Sequence, residues 1–347
     1  MPKLLQISTL ILALSPAVPA WAQSVTITTA GGDYGTGMKE ALWAPAGKAL
    51  GIDVRGETQS DGMAALRMQV SSGSVTTDII HLGSGEGAQA ADLGLLEPLD
   101  ETVVDQKALP SGAASKFCYP FSSYGTVMAW NTKTYGQDGP KDWAEFWDVK
   151  KFPGRRALRN NAQDLLEAAL LSQGVAPEKV YSTLSEPGGI KRAIDRLAEL
   201  KPHVAVWWTS GAQSAQILKD GEADLVETWN GRAQSVKDDG GAAAYTFHSS
   251  IIGTDCLAVP KGAPHKADAM KLIAAMTSPE REAKLTDYIA YGPMNQAAYA
   301  GGKVAANKMA LLATAPDNAV GVVYADAAWW AKHADEAQAA FDTMMNQ

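Results

Sequence analysis

Two cysteines, five histidines and ten tyrosines are the side chains of this 347-residue chain from which nucleophilic, acid-base or metal chemistry could most readily be built. Hydrolysis would need a nucleophile, a base and a group that orients the base. The chain has no Gly-x-Ser-x-Gly turn and no His-Glu-x-x-His helix. His81, His203, His248, His265 and His333 are scattered, and only His81, at the end of an expected strand and near Ser84, stands where chemistry could occur. Its plainer reading is a structural hydrogen bond. No two tyrosines are adjacent, which weakens capture of ferric iron, and Cys118 and Cys256 lack the neighbouring histidines that a zinc site would use. The expectation is a protein without a catalytic centre, resident metal or cofactor. In an oxidising compartment an even cysteine count favours a disulfide. A bridge between positions 118 and 256 would be worth up to about 5 kcal/mol in the chain-entropy model.

The first residues bear on that compartment. Lys3 precedes a mainly apolar stretch over residues 4–18, and Ala20-Trp21-Ala22 puts small residues where a signal peptidase reads. Residues 1–22 are therefore expected to be a cleavable signal peptide, giving a soluble mature chain from Gln23 in a bacterial periplasm. The formal charge of −8, made more acidic by the loss of Lys3, argues against nucleic acid or an anionic membrane surface as a partner. The remaining length exceeds the roughly 250–300 residues at which one hydrophobic core stops growing, so two lobes are expected.

Strand patterns at residues 25–29, 52–57 and 78–82 alternate with helical ones at 38–50, interrupted near Pro45, at 62–70 behind Ser60-Asp61, and at 87–93. Such alternation implies a mainly parallel open sheet, with ligands beyond the carboxyl ends of its strands, at residues 31–35 and 83–86. Two extended segments follow around 119–131. A second series then has helices at 162–173, 188–201 and 210–220 and strands at 204–207 and 224–229. A strand at 256–259, a helix at 266–277 and a last helix at 326–345 complete the chain. That last helix puts Trp330, Ala337, Phe341 and Met344 on one packing face. Trp143 and Trp147, four apart, are expected to fix a short helix. A crossing near Val127 and a return near Thr254 would make both lobes discontinuous, with a cleft between them.

Several motifs then carry a family resemblance. Trp229-Asn230-Gly231 ends a strand, Asp255-Cys256-Leu257-Ala258-Val259-Pro260 lies on the return crossing, and Tyr291-Gly292-Pro293-Met294-Asn295 follows a helix. With Trp143-Ala144-Glu145-Phe146-Trp147-Asp148 upstream of them, and in a consistent order over nearly the whole mature chain, they resemble the periplasmic spermidine and putrescine receptors of ABC importers. The resemblance implies an α/β, two-lobed type II periplasmic binding protein with a hinge and no enzymatic activity. Lobe one would comprise 23–128 and 255–300, lobe two 129–254, and helices of 301–347 would lie across both. Its implied partners are a small organic amine and an inner-membrane permease with its ATPase, and the protein would be a monomer.

In that family aromatic rings flank the methylene chain and carboxylates take the ammonium groups. Tyr34, Trp229 and Tyr291 correspond to aromatic positions and Asp164 and Asp255 to carboxylates, while Ser84 or Glu86 would supply a contact from the second loop. The departures are Gly31, Gly85 and Gly253 in place of aromatics and Asn161 in place of an acid. Arg232 sits at the start of a helix, where a cation opposes the dipole unless an anion compensates it. The ligand expected is a polyamine such as putrescine or spermidine, with a zwitterion such as γ-aminobutyrate as the alternative. Glu227, two residues before Trp229, either faces the cleft or pairs with Arg232. The partner reading the closed form is a permease or a sensor, and the competing class is a periplasmic hydrolase.

Overall fold

The computed structural model describes residues 24–59 and 62–347. The signal-peptide reading of residues 1–22 and the cap reading of Ser60-Asp61 lie outside the described residues. The first strand, Ser24–Thr29, pairs in parallel with Asp53–Thr58. The helix between them begins at Gly32 rather than Met38 and continues past Pro45. It runs as α over Gly32–Gly37, as π over Met38–Trp43, and as α again over Ala44–Leu50. The wider π turns precede the proline, which has no N–H to give the ladder.

The two segments expected around 119–131 are one 14-residue strand, Cys118–Asn131, and the short strand expected at 256–259 is the end of an 18-residue one, Ala243–Pro260. Ser122, Ser123, Gly125 and Thr126 interrupt the apolar pattern, so the sequence reads as a break. Burial on both faces keeps the strand continuous. The two strands are antiparallel neighbours along most of their length, with register shifts at Pro120/Ser122 and Thr126/Met128. Residues 122–123 of the first also pair with Gly292–Pro293, and residues 126–130 with Leu225–Trp229. One pair of long strands thus runs through both lobes and forms the hinge. The sheet is accordingly mixed. Leu225–Trp229, Arg156–Arg159 and Val204–Trp208 pair in parallel, whereas the hinge strands are antiparallel. Arg156–Arg159 is a strand that its charged ends hide in the sequence.

Each lobe has its own core. Val25, Ile27, Leu42, Ile79 and Leu257 belong to that of lobe one. Trp143, Phe146, Leu166 and Leu197 belong to that of lobe two, together with Trp330, Ala337, Phe341 and Met344 of the last helix, Ala327–Met345. The expected packing faces of that helix and of Trp143–Trp147 are therefore both present.

Cys118 and Cys256 form a disulfide joining the two hinge strands within lobe one. The helix Ser84–Asp92 crosses it at Gly87, where an added Cβ would stand 2.7 Å and 2.8 Å from the two sulfurs. Covalent closure denies those sulfurs a rotamer change, so Gly87→Ala must displace the helix. We expect a loss of about 1–3 kcal/mol, read as a lower melting temperature, with smaller cost on a Cys118→Ser/Cys256→Ser background.

Candidate functional site

Strand ends from both lobes converge on one cavity of about 100 Å³. Lobe one contributes Ala30 and Gly31 after its first strand, Gln59 after its second, and His81 to Gly83 from Ile80–Gly83. Lobe two contributes Arg159, Thr209 and Trp229, each at the carboxyl end of a parallel strand or just after it. Tyr124 and Asp255 enter from the hinge strands. This is the crevice that parallel strands leave at their carboxyl ends, here shared by two lobes.

The hinge side is a polar network. The Tyr34 hydroxyl donates to Asp255 Oδ2 at 2.7 Å and is 2.9 Å from Ser122 Oγ, which itself donates to Oδ2 at 3.2 Å. His81 Nε2 is 3.4 Å from Asp255 Oδ1. Burial, and then the Asp255 charge, push the Tyr34 phenol well above its usual range, so it remains a donor. Over the Tyr34 ring, 5.7 Å from its centroid, lies the guanidinium of Arg232. Arg232 belongs to the helix Asn230–Asp238 of lobe two, is 2% exposed, and has no acceptor within hydrogen-bond geometry at Nε or Nη2.

Glycine makes this approach possible. A Cβ on Gly32, where φ is +67°, would stand 3.0 Å from Arg232 Nη1; one on Gly211 would stand 2.6 Å from Nε and 2.7 Å from the Trp229 ring. Arg232 is therefore a wedge between lobes that are closed on each other.

Trp229 is held edge-on by Trp208 and Tyr124, at centroid distances of 5.3 Å and 5.6 Å. Arg159 already covers its face, 5.3 Å from the centroid. Arg159 in turn is 3.9 Å from Asp164, whose carboxylate accepts from Thr126 Oγ1 at 2.8 Å. Beyond Glu86, Arg159, Gln163 and Thr209 the cavity continues into an outer chamber of about 480 Å³. Its walls include Asn160, Asn161, Gln89 and Gln338, with Trp330 and Asp335 from the last helix. The arrangement offers a carboxylate at the hinge, guanidinium groups opposite, and amides outside.

A family model described as bacterial extracellular solute-binding protein matches residues 41–312. The gamma-aminobutyric acid-binding protein of Pseudomonas aeruginosa is 32% identical over 95% of this chain and 93% of its own length. The chain is a bacterial extracellular solute-binding protein. The binding protein MotA from A. tumefaciens B6, solved in complex with glucopine, is 45% identical, covers 93% of this chain and 99% of its own, and superposes with a TM-score of 0.90. The spermidine/putrescine-binding periplasmic protein of Escherichia coli (strain K12) is 25% identical over 59% of this chain and 60% of its own length. The expected two-lobed fold and membership of the solute-binding family both stand. Proteins of this family bind small ligands and work with ABC permeases, and this chain is the solute-binding component of such a transporter.

Of the residues singled out from sequence, Glu86, Trp229 and Asp255 line the inner cavity of the solute-binding protein. Tyr34, Tyr291, Asp164, Arg232 and Ser84 stand behind its wall. Tyr291 meets Tyr34 edge-on at 5.0 Å, and Ser84 Oγ bonds Thr254 Oγ1 at 2.6 Å. Asp164 is fully buried, and burial pushes its carboxyl up against the opposing pull of Arg159. Glu227 makes no pair with Arg232; its Oε2 accepts the backbone N–H of Arg159 at 2.8 Å. Two of the three missing aromatics have substitutes from elsewhere. Tyr124 occupies the space over Gly253, and Trp330 that beside Gly85. Sequence patterns did not single out Arg159, Gln163 or Thr209, nor His81 as a wall. The clue to Arg159 was its place at the end of a four-residue strand.

Burial, reinforced by the Asp164 charge, pushes the Glu227 carboxyl up to about 8. Its folded value exceeds its unfolded one, so the stability it contributes is complete below the unfolded value and is lost as pH rises through about 8. Glu227→Gln is therefore expected to flatten the fall in melting temperature between about pH 5 and 8, leaving little difference at the acid end. Calorimetry across that range checks it, and parallel curves for the two proteins would exclude it.

Proposed function

We propose that the protein, exported after loss of residues 1–22, captures a zwitterionic solute by hinge closure as a monomer without catalytic activity. Lobe one is taken as 23–128 with 255–300 and lobe two as 129–254. The ligand's ammonium is received by Asp255 on the cavity wall; its carboxylate is received by Arg232, which stands behind that wall in the closed ligand-free form and meets the ligand only when the lobes part at Gly32 and Gly211 to admit it. The observation behind this is that the side-on pair of Arg232 donors, Nε and Nη2, is buried without an acceptor. A desolvated guanidinium calls for an anion, and this pair of N–H groups is the one that grips a carboxylate. A purely cationic polyamine supplies no such anion, and the Trp229 face on which its methylenes would lie is covered by Arg159.

The outer chamber adds a preference for longer ligands. Its arginine charges have partners, since Arg67 pairs with Asp335 at 3.0 Å and Arg159 faces Asp164. What remains is amide-rich, suited to an uncharged, hydroxyl-bearing extension of the zwitterion. γ-Aminobutyrate and glucopine, named for two relatives, are the first ligands to try here. A thermal-shift panel tests the assignment with these two, glutamine, an amino acid carrying a polyol on its amine, putrescine and spermidine. A ligand at 100 times its dissociation constant adds about 2.7 kcal/mol, several degrees for a protein of this size. Shifts with zwitterions alone are expected, largest for those with the extension; a shift with polyamines alone overturns the assignment.

A further inference from the structure

We infer that Asp335 of the last helix is a latch that holds the lobes closed at the mouth of the cleft even without ligand. The last helix belongs mechanically to lobe two. Its apolar face shares a core with Leu165, Leu166, Leu170 and Leu197, and no residue of the lobe-one helices Gly62–Ser72 or Ser84–Asp92 enters that core. Polar bonds fasten it further. Trp330 Nε1 donates to Glu167 at 2.8 Å, Lys201 Nζ donates to the carbonyls of Met344 and Met345 at 2.9 Å, and Gln338 Oε1 accepts the Ala162 N–H at 3.0 Å.

Its meeting with lobe one is of another kind. Gly85 presents bare backbone to Trp330, so the helices approach closely without interlocking side chains. One carboxylate then gathers the contact: Asp335 Oδ1 accepts from Arg67 Nη2 at 3.0 Å and from Gln89 Nε2 at 3.0 Å. Arg67 and Gln89 come from different lobe-one helices, and all three residues line the outer chamber. Opening the hinge must break both bonds at once. It must also part the close packing of the last helix against Ser84–Asp92, but it separates no shared hydrophobic cluster there. An exposed ion pair alone contributes little. Gln89, however, is 8% exposed and has its amide committed to the same oxygen. Together they are worth about a three- to tenfold change in the closed-to-open ratio. Because every ligand needs the closed form, that ratio scales all affinities alike.

The latch depends on the two-lobed fold and not on the ligand assignment, so its test uses no ligand. Cys118 and Cys256 are bonded and no free cysteine is present among the described residues. Spin labels on Lys48→Cys and Glu178→Cys, exposed positions in lobes one and two, can therefore report the interlobe distance selectively. In the ligand-free protein a closed population is expected by double electron-electron resonance. Asp335→Ala and Arg67→Ala should each reduce it several-fold, and the exchanged pair Arg67→Asp with Asp335→Arg should recover part of it. A ligand-free protein with no closed population, or one whose closed population is the same in both alanine variants, overturns the latch.

Discussion

Asp255→Asn is expected to weaken binding of the amine-bearing ligand by about 2–3 kcal/mol, roughly thirty- to two-hundredfold, measured by calorimetry. The substitution keeps an oxygen where the Tyr34 and Ser122 hydroxyls donate, at 2.7 Å and 3.2 Å, so the hinge network and the melting temperature should hold. What it removes is the negative charge on the cavity wall. A ligand ammonium meeting a neutral amide instead of a carboxylate loses a charge-assisted bond in a space that water does not dilute. His81 Nε2, 3.4 Å from Oδ1, can face the new amide as a neutral acceptor but restores no negative charge. Unchanged affinity for every ligand that shifts the wild type would remove Asp255 from the site.

Arg232→Met should cost about 3 kcal/mol or more of affinity for carboxylate-bearing ligands, and little for an amine without a carboxylate. Methionine keeps an unbranched stem between Gly32 and Gly211, so the lobes can still close. The sign of the stability change separates a ligand role from a structural one. A buried guanidinium with two N–H groups lacking acceptors is a cost to the ligand-free closed form. Its removal should leave the ligand-free melting temperature unchanged or higher. A lower melting temperature with undiminished affinity for zwitterions would make Arg232 an interlobe brace alone. Burial raises the Tyr291 phenol well above its usual range, and the positive charge of Arg232 and a hydrogen bond with it pull it back, so the same variant should leave that phenol still more firmly protonated.

Asp255 and Trp229 are legible in the sequence because strand patterns end next to them. Trp229 closes an alternating run and Asp255 opens an apolar one, and a carboxylate or ring at the boundary of a buried strand has few plain uses. Helix and strand positions in both lobes follow from the same local patterns, as does the packing face of Trp330, Ala337, Phe341 and Met344. Local patterning fails where the environment is set from outside. Cys118–Asn131 looks broken because its serines and glycine face neighbours supplied by distant strands. Arg156–Arg159 looks like a loop because both ends are charged; yet Arg156 is buried by donating to the carbonyls of Phe146, Phe152 and Gly154, and Arg159 lies over the distant Trp229 ring.

From its residues alone the protein reads as an acidic, two-lobed α/β binder, expected to be exported, with a candidate disulfide, because composition, periodicity and motif order are properties of neighbours in sequence. Only the tertiary structure decided which side chains line the cleft. It set Tyr124 over Gly253 and Trp330 beside Gly85, supplying rings that the aligned positions lack. It turned Asp164 inward onto Arg159 and wedged Arg232 between two glycines of opposite lobes. The physical reason is that the cleft is an interface between two separately folded cores. Its chemistry depends on side chains more than a hundred residues apart, whose meeting is governed by hinge geometry and close packing and leaves no period in the sequence.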